Sequence, residues 1–197
     1  MKVLGLTGGI GMGKSTAAMA LKEQGVPVVD TDVLARSIVE PGQPALAEIQ
    51  SAFGPRILAA DGLLRRDELA RIVFSDATAR RKLEAITHPR IRELWLRQAE
   101  SWRAEGQPVA VVVIPLLFET GAETQFNATI CAACSPETQR RRLLDRGWTP
   151  GEITRRLSAQ WPIGEKIARA AFVVWTEGGI EVLKAQLERV LHPPKTR

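Results

Sequence analysis

The chain has 197 residues, of which 45% are hydrophobic and 25% charged, and a net charge of +5. That length holds one α/β core with one or two helical excursions, and the basic balance suits partners carrying several phosphates, whether nucleotides or nucleic acid. The opening MKVLGLTGGIG is interrupted by glycines too early for a signal peptide, and no apolar stretch reaches the roughly 18 residues a membrane span needs, so a cytoplasmic, reduced protein is expected.

In chain order, Val3 to Thr7 is a short apolar run ended by glycines, as in a buried parallel strand feeding a tight turn. Lys14 to Gln24 has helical spacing and stops at Gly25, and Val26 to Val29 predicts a second strand that arrives at Asp30. These three pieces make a βαβ unit. From Ala45 to Glu105 the periodicity is helical, interrupted at Gly54-Pro55 and Asp61-Gly62, which predicts a helical insertion over about 40–105. Val109 to Ile114 and Thr129 to Ala133 are β-branched or small apolar runs expected of central strands covered on both faces. Pro136 to Ala170 is helical and arginine-rich, Ala171 to Trp175 predicts a last strand, and Ile180 to Leu191 a last helix before a short basic tail, His192 to Arg197. The fold class is therefore α/β, a three-layer arrangement around a central parallel sheet.

Cys131 and Cys134 have C-x-x-C spacing, which suits a redox pair or half a zinc site. They lie in an apolar strand run without a second cysteine pair, and the only histidines, His88 and His192, are remote in sequence, so buried free thiols are expected. The tryptophans Trp95, Trp102, Trp148, Trp161 and Trp175 read as packing residues, and none is assigned to a base.

Gly8-Gly9-Ile10-Gly11-Met12-Gly13-Lys14-Ser15 fits G-x-x-x-x-G-K-[ST], and it lies between a predicted strand and a predicted helix. Glycines at 8, 9, 11 and 13 let the backbone curl so that successive N–H groups face phosphate oxygens, and the helix start adds its positive dipole end. Lys14 is expected to reach the β- and γ-phosphates, the Ser15 hydroxyl to help hold Mg²⁺, and Thr16 to meet the α-phosphate. A mere strand-to-helix turn would not need a lysine whose ammonium requires an anionic neighbour. The loop alone leaves motor, switch and kinase open.

Asp30 and Asp32 follow the second predicted strand. A carboxylate there can accept the proton of an attacking hydroxyl or enter the Mg²⁺ shell through water. For Asp30, capping the next helix is as good a reading as chemistry; Asp32 is the candidate general base.

The stretch Leu6 to Thr16, then Asp30-Thr31-Asp32, Ala35-Arg36 and Val39-Glu40-Pro41-Gly42, resembles the opening of dephospho-CoA kinases. The similarity continues through His88-Pro89, Pro115-Leu116-Leu117-Phe118-Glu119, Ser135 to Gln139, Arg142, Arg146, Arg156 and Gln160, in order over nearly the whole chain. It implies transfer of the γ-phosphoryl group of ATP to the ribose 3′-hydroxyl of dephospho-CoA, with Mg²⁺, giving coenzyme A and ADP. It also implies a helical region gripping the acceptor and an arginine-bearing lid over about 136–168. Within that scheme Asp32 and Lys14 are catalytic; Gly9, Ile10, Gly11, Met12, Gly13, Lys14, Ser15, Thr16, Arg142 and Arg146 bind ATP; and Asp32, Arg36, His88, Leu116 and Glu119 line the acceptor side.

A histidine before proline also suits a helix boundary with extended backbone, so His88 carries both readings. Breaks at Gly147 and Pro150 between arginine-rich helices suit a hinge. No nucleic-acid-binding signature accompanies the basic charge, and small-molecule substrates are the expected partners. Two positions depart from the resemblance. Ile114 stands where many members have an Asp before the Pro-Leu-Leu turn, and Ala171 to Gly178 differs from their Asp-Asn pattern, which bears on the base end of the nucleotide.

Overall fold

The computed structural model describes residues 1–192; the basic tail from 193 onward lies outside the described residues. The chain divides into two compact units, Met1–Val29 with Trp102–Arg197, and Asp30–Ser101.

In the first unit the apolar runs become strands β1 (Lys2–Thr7), β3 (Val109–Val113), β4 (Ala128–Ala133) and β5 (Phe172–Trp175). With β2 (Val28–Asp30), they form a sheet of order β2-β3-β1-β4-β5. The pairings of β1 with β3, β1 with β4 and β4 with β5 are parallel. Central β1 and β4 are buried almost end to end, as expected for strands covered on both faces. The second predicted strand begins two residues later than expected, because Val26 and Pro27 still belong to the turn out of α1 (Lys14–Glu23): Val26 N bonds Leu21 O, and Gly25 takes φ +78°.

Leu4, Leu6, Val111, Ile130 and Val174 from the sheet pack with Ala17, Ala20 and Leu21 of α1 and with Leu183 and Leu187 of α9 (Ile180–Leu191). Each fully buried leucine or isoleucine there contributes about 1.5–3 kcal/mol relative to exposure. The other face of the sheet meets the segment after β3, where Leu117 and Phe126 lie so close to Gly5 that a Cβ would sit 2.5 Å from the Leu117 side chain. The arginine-rich region forms α6 (Pro136–Asp145), α7 (Pro150–Ser158) and α8 (Ile163–Arg169). Between α6 and α7, Gly147 has φ +82° and Thr149 forms a reciprocal capping box with Glu152.

The second unit holds α2 (Thr31–Ser37), α3 (Pro44–Phe53), α4 (Arg66–Ser75) and most of α5 (Ala77–Ala104). Its own core joins Ile38, Val39, Leu46, Ile49, Ile57, Leu69 and Ile86. The break at Asp61-Gly62 is a tight turn between bridged Leu58 and Leu64, with Leu63 N donating to Asp61 Oδ1. Helix α5 continues through Pro89, so His88 is a helix-interior residue and not a boundary. A proline disturbs the carbonyls one turn back, and here the Arg90 guanidinium donates to Ile86 O at 2.5 Å, supplying a donor to one of them.

Candidate active site

The segment between β1 and α1 is shaped by what it cannot carry. Gly8 has φ +148°, and a Cβ on it would sit 2.3 Å from the Ala132 carbonyl oxygen of β4. Gly13 has φ +85°, and its Cβ would meet the Thr176 hydroxyl at 2.8 Å. Only hydrogen fits at either place, so the loop leaves β1 against β4 and enters α1 against the segment after β5. Lys14, the first residue of α1, turns its Nζ back over the loop and donates to Gly8 O at 2.8 Å and Gly9 O at 3.0 Å. No side chain caps α1, and Ser15 and Thr16 are exposed in its first turn.

Polar side chains brace the loop from outside. Buried Gln139 of α6 donates through Nε2 to Ile10 O at 2.7 Å, and Ile10 N donates to Gln160 Oε1 at 3.0 Å. The Thr176 hydroxyl donates to Met12 O at 3.0 Å and accepts from Arg142 Nη1 at 2.9 Å, while Arg142 Nη2 donates to Thr176 O at 2.5 Å. Arg142 thus reaches the loop through Thr176. Arg146 is the exposed C-cap of α6.

An ion pair is linked to the end of β1, just before the loop. Lys166 is fully buried, and its Nζ is 2.6 Å from Glu119 Oε1 and 3.0 Å from Pro115 O. Glu119 Oε1 also accepts from Trp161 N at 3.1 Å, and the Thr7 hydroxyl donates to Pro115 O at 3.1 Å. Leu116, in the same turn, is exposed. Glu119 therefore meets a lysine that sequence reasoning missed. A signal existed, since Lys166 falls between Ile163 and Ile167 at helical spacing, a cation in an apolar stripe.

Cys131 and Cys134 are free and buried, as expected, and no group of three or more His, Cys, Asp or Glu among the described residues could hold a metal. Burial pushes the Cys131 thiol up to about 11, against the opposing pull of Lys166 and Lys14. Burial likewise raises Cys134, whose backbone N–H donates to Met12 Sδ. In the altered segment, Glu177 accepts from the Ser135 hydroxyl and backbone N–H and from Trp175 Nε1, and the Ser135 hydrogen bond leads in holding its carboxyl down to about 2.

In the second unit Asp30 is the N-cap of α2, its Oδ1 accepting from Asp32 N at 2.9 Å, so the capping reading holds for it. Asp32 and Arg36 are exposed one turn apart on α2, and His88 is exposed midway along α5.

A glycine loop closed by a lysine between a parallel strand and a helix is an anion cradle, and its relatives decide which. The family model for dephospho-CoA kinase matches residues 2–181. The chain belongs to the dephospho-CoA kinase family. A dephospho-CoA kinase of Anaeromyxobacter dehalogenans is 47% identical over 192 residues, covering 97% of this chain and 91% of the relative. Among solved structures, TT1252 from Thermus thermophilus aligns with TM-score 0.86 at 38% identity, covering 96% of each chain. A dephospho-CoA kinase from Campylobacter jejuni aligns with TM-score 0.69 at 26% identity, covering 96% of this chain and 94% of its own. Kinases of this family use ATP to phosphorylate dephospho-CoA, and this chain is a kinase of that kind. No helix among the described residues is long and apolar enough to cross a membrane.

Proposed function

We propose that Gly9 to Thr16 holds the phosphates of ATP, that Lys14 neutralises charge on the transferring γ-phosphoryl group, and that Asp32 is the general base. In this scheme Asp32 takes the proton of the ribose 3′-hydroxyl of dephospho-CoA as that oxygen bonds to the γ-phosphorus. The bond from the γ-phosphorus to the β–γ bridging oxygen breaks, and ADP and coenzyme A leave. The observation that carries the reading is Lys14 Nζ arched over Gly8 O and Gly9 O at the mouth of a loop that admits no side chain at Gly8 or Gly13.

The donor chemistry fits Mg²⁺. The first turn of α1 offers two exposed hydroxyl oxygens, those of Ser15 and Thr16, and no carboxylate cage stands among the described residues. Mg²⁺ is held in such sites by one or two protein oxygens, substrate phosphates and water. When bound, it would neutralise charge building on the β- and γ-phosphate oxygens. Ser15 would hold it directly, and Asp32 is a second candidate through water.

Arg142 and Arg146 complete the ATP side, and Arg36, His88, Leu116 and Glu119 the acceptor side. We further assign the region about 40–105 to acceptor binding and about 136–168 to a lid. The positive charge serves phosphate-bearing small molecules, and the buried free thiols suit the reducing cytoplasm.

The reading is tested by steady-state kinetics of Asp32→Asn with ATP and dephospho-CoA. A fall in kcat with unchanged ATP affinity is expected; turnover near that of the unaltered protein removes Asp32 as the base.

A further inference from the structure

Gln160 resembles the family pattern in sequence, yet the chemistry above assigns it no work. It follows the end of α7 by two residues, and that helix carries Arg155 and Arg156 in its last turn. Its side-chain oxygen accepts from Ile10 N at 3.0 Å, while Gln139 holds the carbonyl of the same residue at 2.7 Å. Two amide side chains, one on α6 and one in the turn between α7 and α8, therefore fix the peptide groups on either side of one α-carbon in the phosphate loop.

The residue after Gln160 is tied down in its turn. The next backbone N–H, that of Trp161, is held by Glu119 Oε1, and Glu119 is pinned by Lys166, which is wholly buried. Lys166 also bonds Pro115 O, the same carbonyl that accepts from Thr7, the residue before Gly8. Arg169 lies over the Trp161 ring at 4.5 Å. One continuous set of contacts thus joins positions 160 and 161 to this segment twice, at Thr7 where β1 ends and at Ile10 within the loop. Breaking a buried pair by removing one member leaves an uncompensated charge, so this mount resists displacement.

We propose that Gln160 is a positioning residue: it sets the Ile10 peptide of the phosphate loop and couples the arginine-bearing helix α7 to that loop. A neutral amide suits the task, because it accepts from the loop N–H without placing a negative charge beside a triphosphate. Rotation of α7 would pull on Ile10, and rearrangement of the loop around phosphate would be felt at α7. The coupling to ATP rests on the function proposed above; the contact with Ile10 does not.

The test compares the unaltered protein, Gln160→Met and Gln160→Glu by amide hydrogen exchange at Ile10 and by steady-state kinetics. Gln160→Met keeps length but lacks a strong acceptor. Its Ile10 amide is expected to exchange about three- to tenfold faster, with KM for ATP raised by a similar factor and KM for dephospho-CoA unchanged. Gln160→Glu keeps the acceptor oxygen, so Ile10 protection should return while KM for ATP stays high because of the added charge. Unchanged exchange at Ile10 in Gln160→Met would overturn the proposal. So would a lowered Tm with both KM values rising equally, which is the mark of general structural support. If the unaltered protein fails to phosphorylate dephospho-CoA, the functional reading falls, while the exchange measurement still decides the role of Gln160 at Ile10.

Discussion

The unit that carries the phosphate loop and the unit formed by Asp30–Ser101 hold their candidate residues in different ways. In the first, the site is largely backbone: Gly8 and Gly13 have no room for a Cβ, and Gln139, Gln160, Lys166 and Thr176 tie the loop and its flank to α6, to the turn between α7 and α8, to α8 and to the segment after β5. In the second, Asp32, Arg36 and His88 are exposed side chains on helices whose apolar faces form a separate core. A glycine with no room for a Cβ cannot be altered without disturbing the fold, whereas a side chain exposed on a helix can be changed at smaller cost to it.

That contrast can be broken most severely at Asp32. Asp32→Asn should lower kcat about a hundred- to ten-thousand-fold, the usual worth of a general base. Its Tm should hold, because the cap of α2 uses the Asp32 backbone N–H, which the substitution retains. Lys14→Ala should reduce kcat about a hundred- to a thousand-fold, the scale of removing one charge-stabilising group. Both effects are read by coupled ADP release with thermal melts alongside. A large loss of Tm in Asp32→Asn would erase the distinction between the two units.

Smaller in turnover but larger in stability is Lys166→Met, which leaves the largely buried Glu119 carboxylate without its cation. It should cost about 3–5 kcal/mol of unfolding free energy, with partial recovery when Glu119→Gln is added. Urea unfolding of the two single variants and the double variant gives the coupling. Next comes Gly8→Ala, whose Cβ has a backbone oxygen at 2.3 Å; about 1–3 kcal/mol is expected, set against Gly25→Ala, where nothing lies within 4 Å and only the backbone conformation is strained. Equal losses at the two glycines would mean that close approach to β4 does not shape the loop.

The smallest effect concerns Glu177. Its carboxyl is held down to about 2 from 4.5, so the stability it contributes is present above pH 4.5 and is lost as pH falls towards 2. Glu177→Gln should lower Tm slightly at pH 7 and not at pH 2, measured by melts across that range.

The phosphate loop was legible because backbone geometry dictates residue type: only glycine tolerates the conformation and close approach at Gly8 and Gly13, and the strand and helix on either side have clear periods. The strands were legible for a similar reason, since Val109 to Val113 and Ala128 to Ala133 are buried nearly throughout and carry no alternation to misread. The helix through Pro89 was not, because a local backbone preference argued for a boundary while the packing of Ile86 and Trp95 keeps α5 continuous. Lys166 was marked only by its place in the apolar stripe between Ile163 and Ile167, and Thr176 by nothing, until the fold brings Glu119 to the one and Met12 to the other. Arg142 was named in the sequence for a different reason, as an ATP contact, and its path to the loop through Thr176 depends on a contact 34 positions apart in sequence.

The central claim is that this cradle serves phosphoryl transfer to dephospho-CoA. It is tested most directly by ADP release from ATP-Mg in the presence of dephospho-CoA, nucleoside monophosphates or shikimate, with mass spectrometry of each product. The account predicts one product, dephospho-CoA heavier by one phosphoryl group, and ADP release that depends on that acceptor. ADP formed equally without acceptor, or a phosphorylated product only from another acceptor, would contradict it.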